Sequence, residues 1–380
     1  MRIARICRPL IKPAGTERSI IESSSEMERQ GAEVRIYTPK CKDDLFGGMP
    51  RRLDVEEVRV PVPPVFDLYY DLLLAKRLVS AASKWADVAI LHDGQPVASY
   101  SMRRFRVLCI PFFHGDKWDW NLFGDFRTLA PIYTYPLNSL LSRCLQEVPI
   151  VFTNSRSLAA AVSQHEPRTN VVPISIGVDT SRFYPKWDED RGFVMMAGRL
   201  HPVNNFEMGI SALLETNYEM VIAGIVEPKS VWYYKHLREM VSSNSDLRGR
   251  VAFKSLTERS LIEHYQSCSL FLSPRVFDYL GRAALEPMAC GKPVIASMTR
   301  SPVEDDPPVL LCRNNAGEWR DKVRGLMSDR ATRMELGRKS YEFVESKHSL
   351  RTSATQMLLF MARLTEDREA ERPDVIPSFA

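Results

Sequence analysis

Asp278 and Glu286 stand eight positions apart in the stretch DYLGRAALEPMACGKPVIAS, with Gly281 between them. A β-branched run, SLFLSP from Ser269, leads through RVFDYL to Gly281, and an alanine-rich helical run follows. Gly291 supplies a left-handed stop for that helix and Pro293 prevents its continuation. A helix start offers unpaired N–H groups and partial positive charge, which suits a phosphate. Gly281 lets a bulky anion approach the backbone closely. Asp278, in the loop, can accept hydrogen bonds from hydroxyls beside that phosphate. Glu286 lies about one and a half turns further in, at about 1.5 Å per residue, and would reach another part of the same ligand. Hydroxyls on both sides of a diphosphate describe a nucleotide sugar. A capping Asp278 and a solvated Glu286 would leave the same spacing, so the pair alone leaves both readings open.

Three other loops follow candidate strands, where open α/β sheets bind their ligands. AGRLHPVNN, Ala197 to Asn205, places Arg199 where its planar fork could meet phosphate oxygens, or form an ordinary salt bridge. KPAGTERS, Lys12 to Ser19, turns at Gly15, and Thr16 reads as the N-cap of a helix beginning at Glu17. It is not GxGxxG, which counts against a standard dinucleotide fold. FFHGD sets His114 beside a glycine, able to bond a substrate or to serve a structural role.

These loops need strands and helices to hold them. RIARIC near the start, AEVRIYT at Ala32, DVAILHD at Asp87, FRVLCIPFF at Phe105 and PIVFTNS at Pro149 read as strands. Helical patterns lie between several of them, such as ERSIIESSSEMERQG, which stops at Gly31. The pattern then restarts with GFVMMAG, YEMVIAG, VAFKS, SLFLSP and KPVIAS. Two such runs predict two doubly wound domains with parallel strands. The seam is expected in Ser175 to Gly192, rich in turn formers and charge, where Asp188 to Asp190 reads as a solvated turn. After Trp319 the chain reads as helix with short breaks, and the proline-bearing tail is expected to be poorly ordered.

Composition excludes several classes. With 51 Lys+Arg against 47 Asp+Glu and no basic run interleaved with aromatics, a dedicated nucleic-acid binder is not expected. Hydrophobic content of 44% and charged content of 26% suit a globular chain with a sizeable core. The seven cysteines are scattered without a CxxC pair, as buried thiols in a reducing cytosol would be. No apolar core of signal-peptide length follows the basic N-terminus, and no run of about 18 apolar residues predicts a membrane span. A cytoplasmic protein is expected, with peripheral contact at the inner membrane face left open.

Taken together, DYLGRAALEPMACGKPVIAS, TNSRSLAAAV at Thr153, ISIGVDTSRFYP at Ile174, AGRL at Ala197, VIAGIV at Val221 and AGTER at Ala14 resemble the retaining GT-B-fold glycosyltransferases of family 4. The resemblance implies two Rossmann-like doubly wound domains facing a central cleft. Residues 1–172, joined by a C-terminal helix at 352–370, would bind the acceptor, and residues 173–351 the nucleotide-sugar donor. It implies that Asp278 contacts the sugar, that the backbone of Tyr279, Leu280 and Gly281 meets the diphosphate, and that Glu286 binds the ribose. Arg199 would neutralise the leaving diphosphate. His114 would stand near the sugar, and Gly15 would bring backbone close to donor and acceptor. No metal or other cofactor is implied beyond the nucleotide-diphosphate sugar as co-substrate. The expected activity is metal-independent transfer of a hexose-type sugar to a saccharide or lipid-linked acceptor in glycan biosynthesis.

Several positions depart from the family pattern. Asn204 stands where a lysine usually supplies a second cation, and losing an ionised donor could cost about 1.5–3 kcal/mol of leaving-group binding. Asp278 replaces the usual glutamate, Ala14-Gly15 the double glycine, and TRSPVEDD from Thr299 a glycine pair. Lys254 or Arg300 could compensate for the missing charge. The alternative is a catalytically weakened GT-B-fold protein that binds a nucleotide sugar or a partner glycosyltransferase without turnover.

Overall fold

The computed structural model describes residues 1–11, 15–42, 53–59, 76–92, 107–113, 143, 145–275, 280–298 and 306–370. The chain forms two compact units: Met1–Gly177 with the segment from Leu350 onward, and Val178–Ser349.

The first unit is built on a parallel sheet of β1 (Arg2–Ile6), β2 (Glu33–Thr38), β3 (Asp54–Glu57), β4 (Val88–His92), β5 (Leu108–Phe113), β6 (Val151–Thr153) and β7 (Val171–Pro173). Among the described residues their order is β3-β2-β1-β4-β5-β6-β7. β4 and β5 are buried at every position, as strands covered on both faces must be. α1 (Gly15–Arg29) buries Ile20, Ile21 and Met27, and the chain leaves it through Gly31 at φ +91°, a backbone region where glycine carries no Cβ penalty. α2 is Arg156–His165, capped by the Ser155 hydroxyl, which accepts from the Leu158 N–H. β3 was not expected from its sequence, DVEE. It is an edge strand held by charge, with Arg35 on β2 reaching Asp54 at 2.6 Å and Glu56 at 3.6 Å.

The second unit repeats the plan. β8 (Phe193–Arg199), α3 (Phe206–Ser211), β9 (Glu219–Ile225), α4 (Val231–Ser243), β10 (Val251–Lys254), α5 (Glu258–Ser267) and β11 (Leu270–Ser273) come first. α6 (Arg282–Ala289), β12 (Val294–Ser297), β13 (Leu310–Cys312), α7 (Ala316–Ser328) and α8 (Arg330–Lys347) complete it. The strands are parallel in the order β10-β9-β8-β11-β12-β13. From β8 the chain moves outward to β9 and β10, then returns to the other side of β8 with β11. The strand order therefore reverses between β8 and β11.

One face of this sheet carries Val194, Met196, Met220, Ile222, Leu270, Leu272 and Ile295 into a core with side chains of α3, α4 and α7, including the fully buried Trp319. Right-handed crossovers running in opposite directions from a switch point place their helices on opposite faces. α6, between β11 and β12, accordingly covers the other face, where Met195 and Phe271 are buried.

The acidic run at Asp188–Asp190 is only partly the solvated turn its composition suggests. Asp190 accepts from the Ser269 hydroxyl, from Arg333 Nη2 at 2.9 Å and from the Gly192 N–H at 3.2 Å. The Arg333 guanidinium also donates to the carbonyls of Leu326 and Met327, closing the end of α7. Burial opposes ionisation of Asp190, but these hydrogen bonds and the Arg333 charge hold its carboxyl below the usual range.

α9 (Leu350–Ala370) belongs to the first unit. Its Ala354, Met357 and Met361 are buried with Ile3, Met27, Val88 and Phe152. Gln30 fixes its start by donating to the Arg351 carbonyl at 3.2 Å and accepting from Thr355 Oγ1 at 2.9 Å. Gly177 passes so close beneath that a Cβ there would lie 2.9 Å from Leu350 Cδ2. None of the helices among the described residues is long and apolar enough to cross a membrane.

Candidate functional site

Ligands of open α/β sheets bind outside the carboxyl ends of the strands, where the strand order reverses. In the second unit that point lies between β8 and β11, and the loops leaving these strands carry most of the candidate residues.

Arg199 is the last residue of β8 and is exposed. Its guanidinium has no hydrogen-bond or ion-pair partner among the described residues. The loop after it is tightly specified. Gly198 sits at φ +145° and Asn205 at φ 48°. His201 Nδ1 accepts from the Val203 N–H at 3.3 Å, and the Asn205 N–H reaches the Pro202 carbonyl at 2.9 Å. Asn204 completes the turn, its Nδ2 donating to the Arg199 carbonyl at 2.7 Å. The amide at this position thus serves the loop backbone. Beyond the turn, the Phe206 N–H donates to Tyr233 Oη at 3.1 Å, while the Tyr233 hydroxyl donates to Glu207. Burial and the adjacent carboxylate push the Tyr233 phenol well up, so it stays a neutral donor.

The stretch after β11 supplies the helix start. Leu280 is half-buried and Gly281 buried. Gly281 is the N-cap of α6 with φ −73° and ψ 169° and, as a glycine, supplies no side-chain cap. A glycine at this position leaves room for an outside acceptor to approach the N–H groups of the first turn. Glu286 is 4% exposed, which rules out the solvated acid, and its Oε1 receives Arg282 Nε at 3.3 Å. Arg282 was not singled out from the sequence, although an i,i+4 arginine–glutamate pair on a helix is a legible signal. α6 stops where expected, with Gly291 at φ +71°.

Arg199, Asn204, Leu280, Gly281 and Glu286 therefore all lie in the second unit, on the loops and helix that flank the β8–β11 switch. Gly15 opens α1 in the first unit, so Thr16 lies within the first turn instead of capping it. A Cβ at Gly15 would meet nothing within 4 Å; the described chain itself does not demand glycine there. Asp278, Tyr279 and His114 lie outside the described residues, as does Arg300. Lys254 is the last residue of β10, and its side chain is turned to His264. Its Nζ lies 3.3 Å from His264 Nε2, in a groove bounded by Phe193 and Glu219 at the amino ends of β8 and β9.

Comparison with known proteins agrees with this layout. Residues 13–182 match the family model described as Glycosyltransferase Family 4, and residues 178–343 the model described as Glycosyl transferases group 1. A D-inositol 3-phosphate glycosyltransferase of Kineococcus radiotolerans is 21% identical over 96% of this chain and 95% of its own. Two further curated relatives are spanned over only 35% and 49% of their length. Among solved structures, a sucrose-phosphate synthase from Thermosynechococcus elongatus superposes with a TM-score of 0.79 at 16% identity, covering 96% of this chain and 99% of that one. Anabaena Alr3699/HepE in complex with UDP gives 0.75 at 16% identity, covering 96% and 100%. At these identities the structural likeness is one of fold.

Proposed function

The chain belongs to the glycosyltransferases of family 4 and has their two-domain α/β GT-B fold, and we propose that it moves a hexose-type sugar, with retention, from a nucleotide-diphosphate sugar to a saccharide or lipid-linked hydroxyl. The observation that carries this reading is the placement of Arg199, whose guanidinium has no partner among the described residues, and of the glycine N-cap of α6 at the switch point of one sheet. Both favour concentrated negative charge, and a diphosphate leaving group supplies it.

In the reaction the bond from sugar C1 to the β-phosphate oxygen breaks and its electron pair stays on that oxygen. The acceptor hydroxyl oxygen bonds to C1 from the same side, and its proton passes to the departing phosphate. Arg199 and the N–H groups at the start of α6 would stabilise the charge as it develops, the work a metal ion does elsewhere. Glu286, oriented by Arg282, would hold the ribose hydroxyls, and Asp278 the sugar. A cytoplasmic setting with peripheral membrane contact fits a lipid-linked acceptor.

The second reading, a binder without turnover, is favoured by one observation: the neutral Asn204 amide is committed to the Arg199 carbonyl. A panel of nucleotide sugars separates the two. UDP-glucose leads it, since Alr3699/HepE has been solved with that compound. The expected result is donor-dependent release of nucleoside diphosphate, with the product anomer matching the donor by NMR. Arg199→Ala should reduce turnover by about 10²-fold or more. Binding without release in any acceptor condition would support the second reading, and no binding at all would sink both.

A further inference from the structure

We propose that the groove beside α5 in the second unit is a separate binding site for a hydroxylated phosphate monoester. Arg191 and Lys254 hold its phosphate and Glu219 its hydroxyls. The inference goes beyond the donor-site reading and does not depend on it.

The groove has a volume of about 430 Å³, within the range of small-molecule sites. Val251 and Phe253 of β10 pack on the core shared with α3, α4 and α7. Side chains alternate along a strand, so Lys254 falls on the opposite face, toward α5. Phe193 and Glu219, paired in register at the amino ends of β8 and β9, also line the groove. Phe193 meets the His264 ring of α5 edge-on, with centroids 6.2 Å apart. Phe193 begins β8 and Arg199 ends it, which puts about 20 Å between this wall and Arg199.

Some charges of the groove are already paired. Lys186 reaches Glu189 at 3.2 Å, and Glu263 receives Arg259 at 3.2 Å. Arg191 and Glu219 are exposed and make no side-chain hydrogen bond or ion pair with any described residue. Lys254 reaches an imidazole and no carboxylate among the described residues. His264 Nδ1 lies 2.7 Å from the Ser260 carbonyl, which can only accept, so Nδ1 carries the proton. Nε2 of the neutral ring then accepts from Lys254 Nζ at 3.3 Å, and the lysine charge stays uncompensated. Two cations and one carboxylate are thus left for a ligand. A phosphate monoester carries about 1.5 to 2 negative charges at pH 7, which suits the cations. Hydroxyls on its organic part can donate to Glu219.

The walls are fixed before any ligand arrives. The Arg191 N–H donates to the Ser267 carbonyl at 2.9 Å, and the buried Lys292 donates to the Glu189 carbonyl at 2.8 Å. Between them Asp190 is anchored to Ser269 and Arg333. A site held in this way gives up little conformational freedom on binding.

The test is calorimetric titration of the full chain with glucose 6-phosphate, glycerol 3-phosphate, inorganic phosphate and glucose. The wild type should bind both esters, inorganic phosphate more weakly, and glucose not measurably. Lys254→Gln and Arg191→Gln should each weaken ester binding by about tenfold or more, and Lys254→Arg should recover part of the loss. Glu219→Gln should bring ester affinity down toward that of inorganic phosphate. Arg199→Ala should retain the ester binding, and Arg191→Gln should bind nucleoside diphosphates as the wild type does. A thermal melt checks that each of these surface variants is folded. A wild type that binds neither ester overturns the proposal. So does ester binding that is lost in Arg199→Ala and kept in Lys254→Gln, because the ligand would then lie at the donor end. Equal affinity for esters and inorganic phosphate, unmoved by Glu219→Gln, overturns the hydroxyl contact.

Discussion

At position 204 a side chain that the family pattern would aim at a ligand instead closes a turn. The Asn204 amide and the Arg199 carbonyl lie 2.7 Å apart at the end of β8, so Asn204→Ala should cost about 1 kcal/mol of stability by urea unfolding. Asn204→Asp would set a carboxylate against that carbonyl and beside the proposed phosphate site. It should weaken nucleoside diphosphate binding beyond what Asn204→Ala does, measured by calorimetric titration. Asp190 makes a different residue-scale case. Its carboxyl is held below the usual range despite its burial, by Ser269, Arg333 and Gly192. A depressed acid contributes stability above its unfolded pKa of about 4, and that contribution is lost as pH falls through the folded value. Asp190→Asn should therefore lower stability at pH 7 by about 1–3 kcal/mol, and the penalty should shrink as unfolding is followed down from about pH 4. A penalty independent of pH would mean that the hydrogen-bond geometry matters and the charge does not.

Among the elements, α6 and α8 meet through glycine. A Cβ at Gly337 would fall 2.2 Å from the Gly291 carbonyl oxygen, a backbone atom that cannot yield without moving the end of α6. Gly337→Ala should destabilise by about 1–3 kcal/mol or more despite alanine's better helix propensity, whereas Gly325→Ala on α7, with open space around it, should be neutral or stabilising. Equal effects in denaturant titrations would contradict the close approach. How far these elements were legible in the sequence depends on what holds them. β4, β5, β8 and β9 announce themselves because burial requires runs such as VAILH and FVMMAGR. β3, β7 and β13 do not: DVEE is held by cross-strand ion pairs with Arg35, and VVP and LLC are too short to show a period. The site divides in the same way. Gly281, Glu286 and the Gly291 stop could be read from spacing along one helix. The turn after β8, in which Asn204 Nδ2 donates to the Arg199 carbonyl, could not, because it depends on the left-handed backbone at Asn205, which no periodicity encodes.

For the molecule as a whole, the C-terminal helix decides how its two units respond to damage. α9 follows the second unit in sequence, yet Met357 and Met361 are buried at 1% and 0% in the first unit's core. Each unit has its own hydrophobic cluster, so a single two-state transition is not the natural expectation. Met361→Ala removes a buried side chain between α9 and the sheet, and should cost the first unit about 2–5 kcal/mol. Leu237→Ala on α4, packed in the second unit's core with Trp319, should do the same to the other. In differential scanning calorimetry each substitution should lower one component of the endotherm and leave its counterpart near its original temperature. The assignment can be checked independently, because Trp319 is fully buried in the second unit, and in a variant whose other five tryptophans are replaced by phenylalanine the fluorescence should follow the component moved by Leu237→Ala. Were Met361→Ala to shift both components together, α9 would be transmitting stability between the units, and truncation at Leu350 would unfold the whole chain in place of the first unit alone.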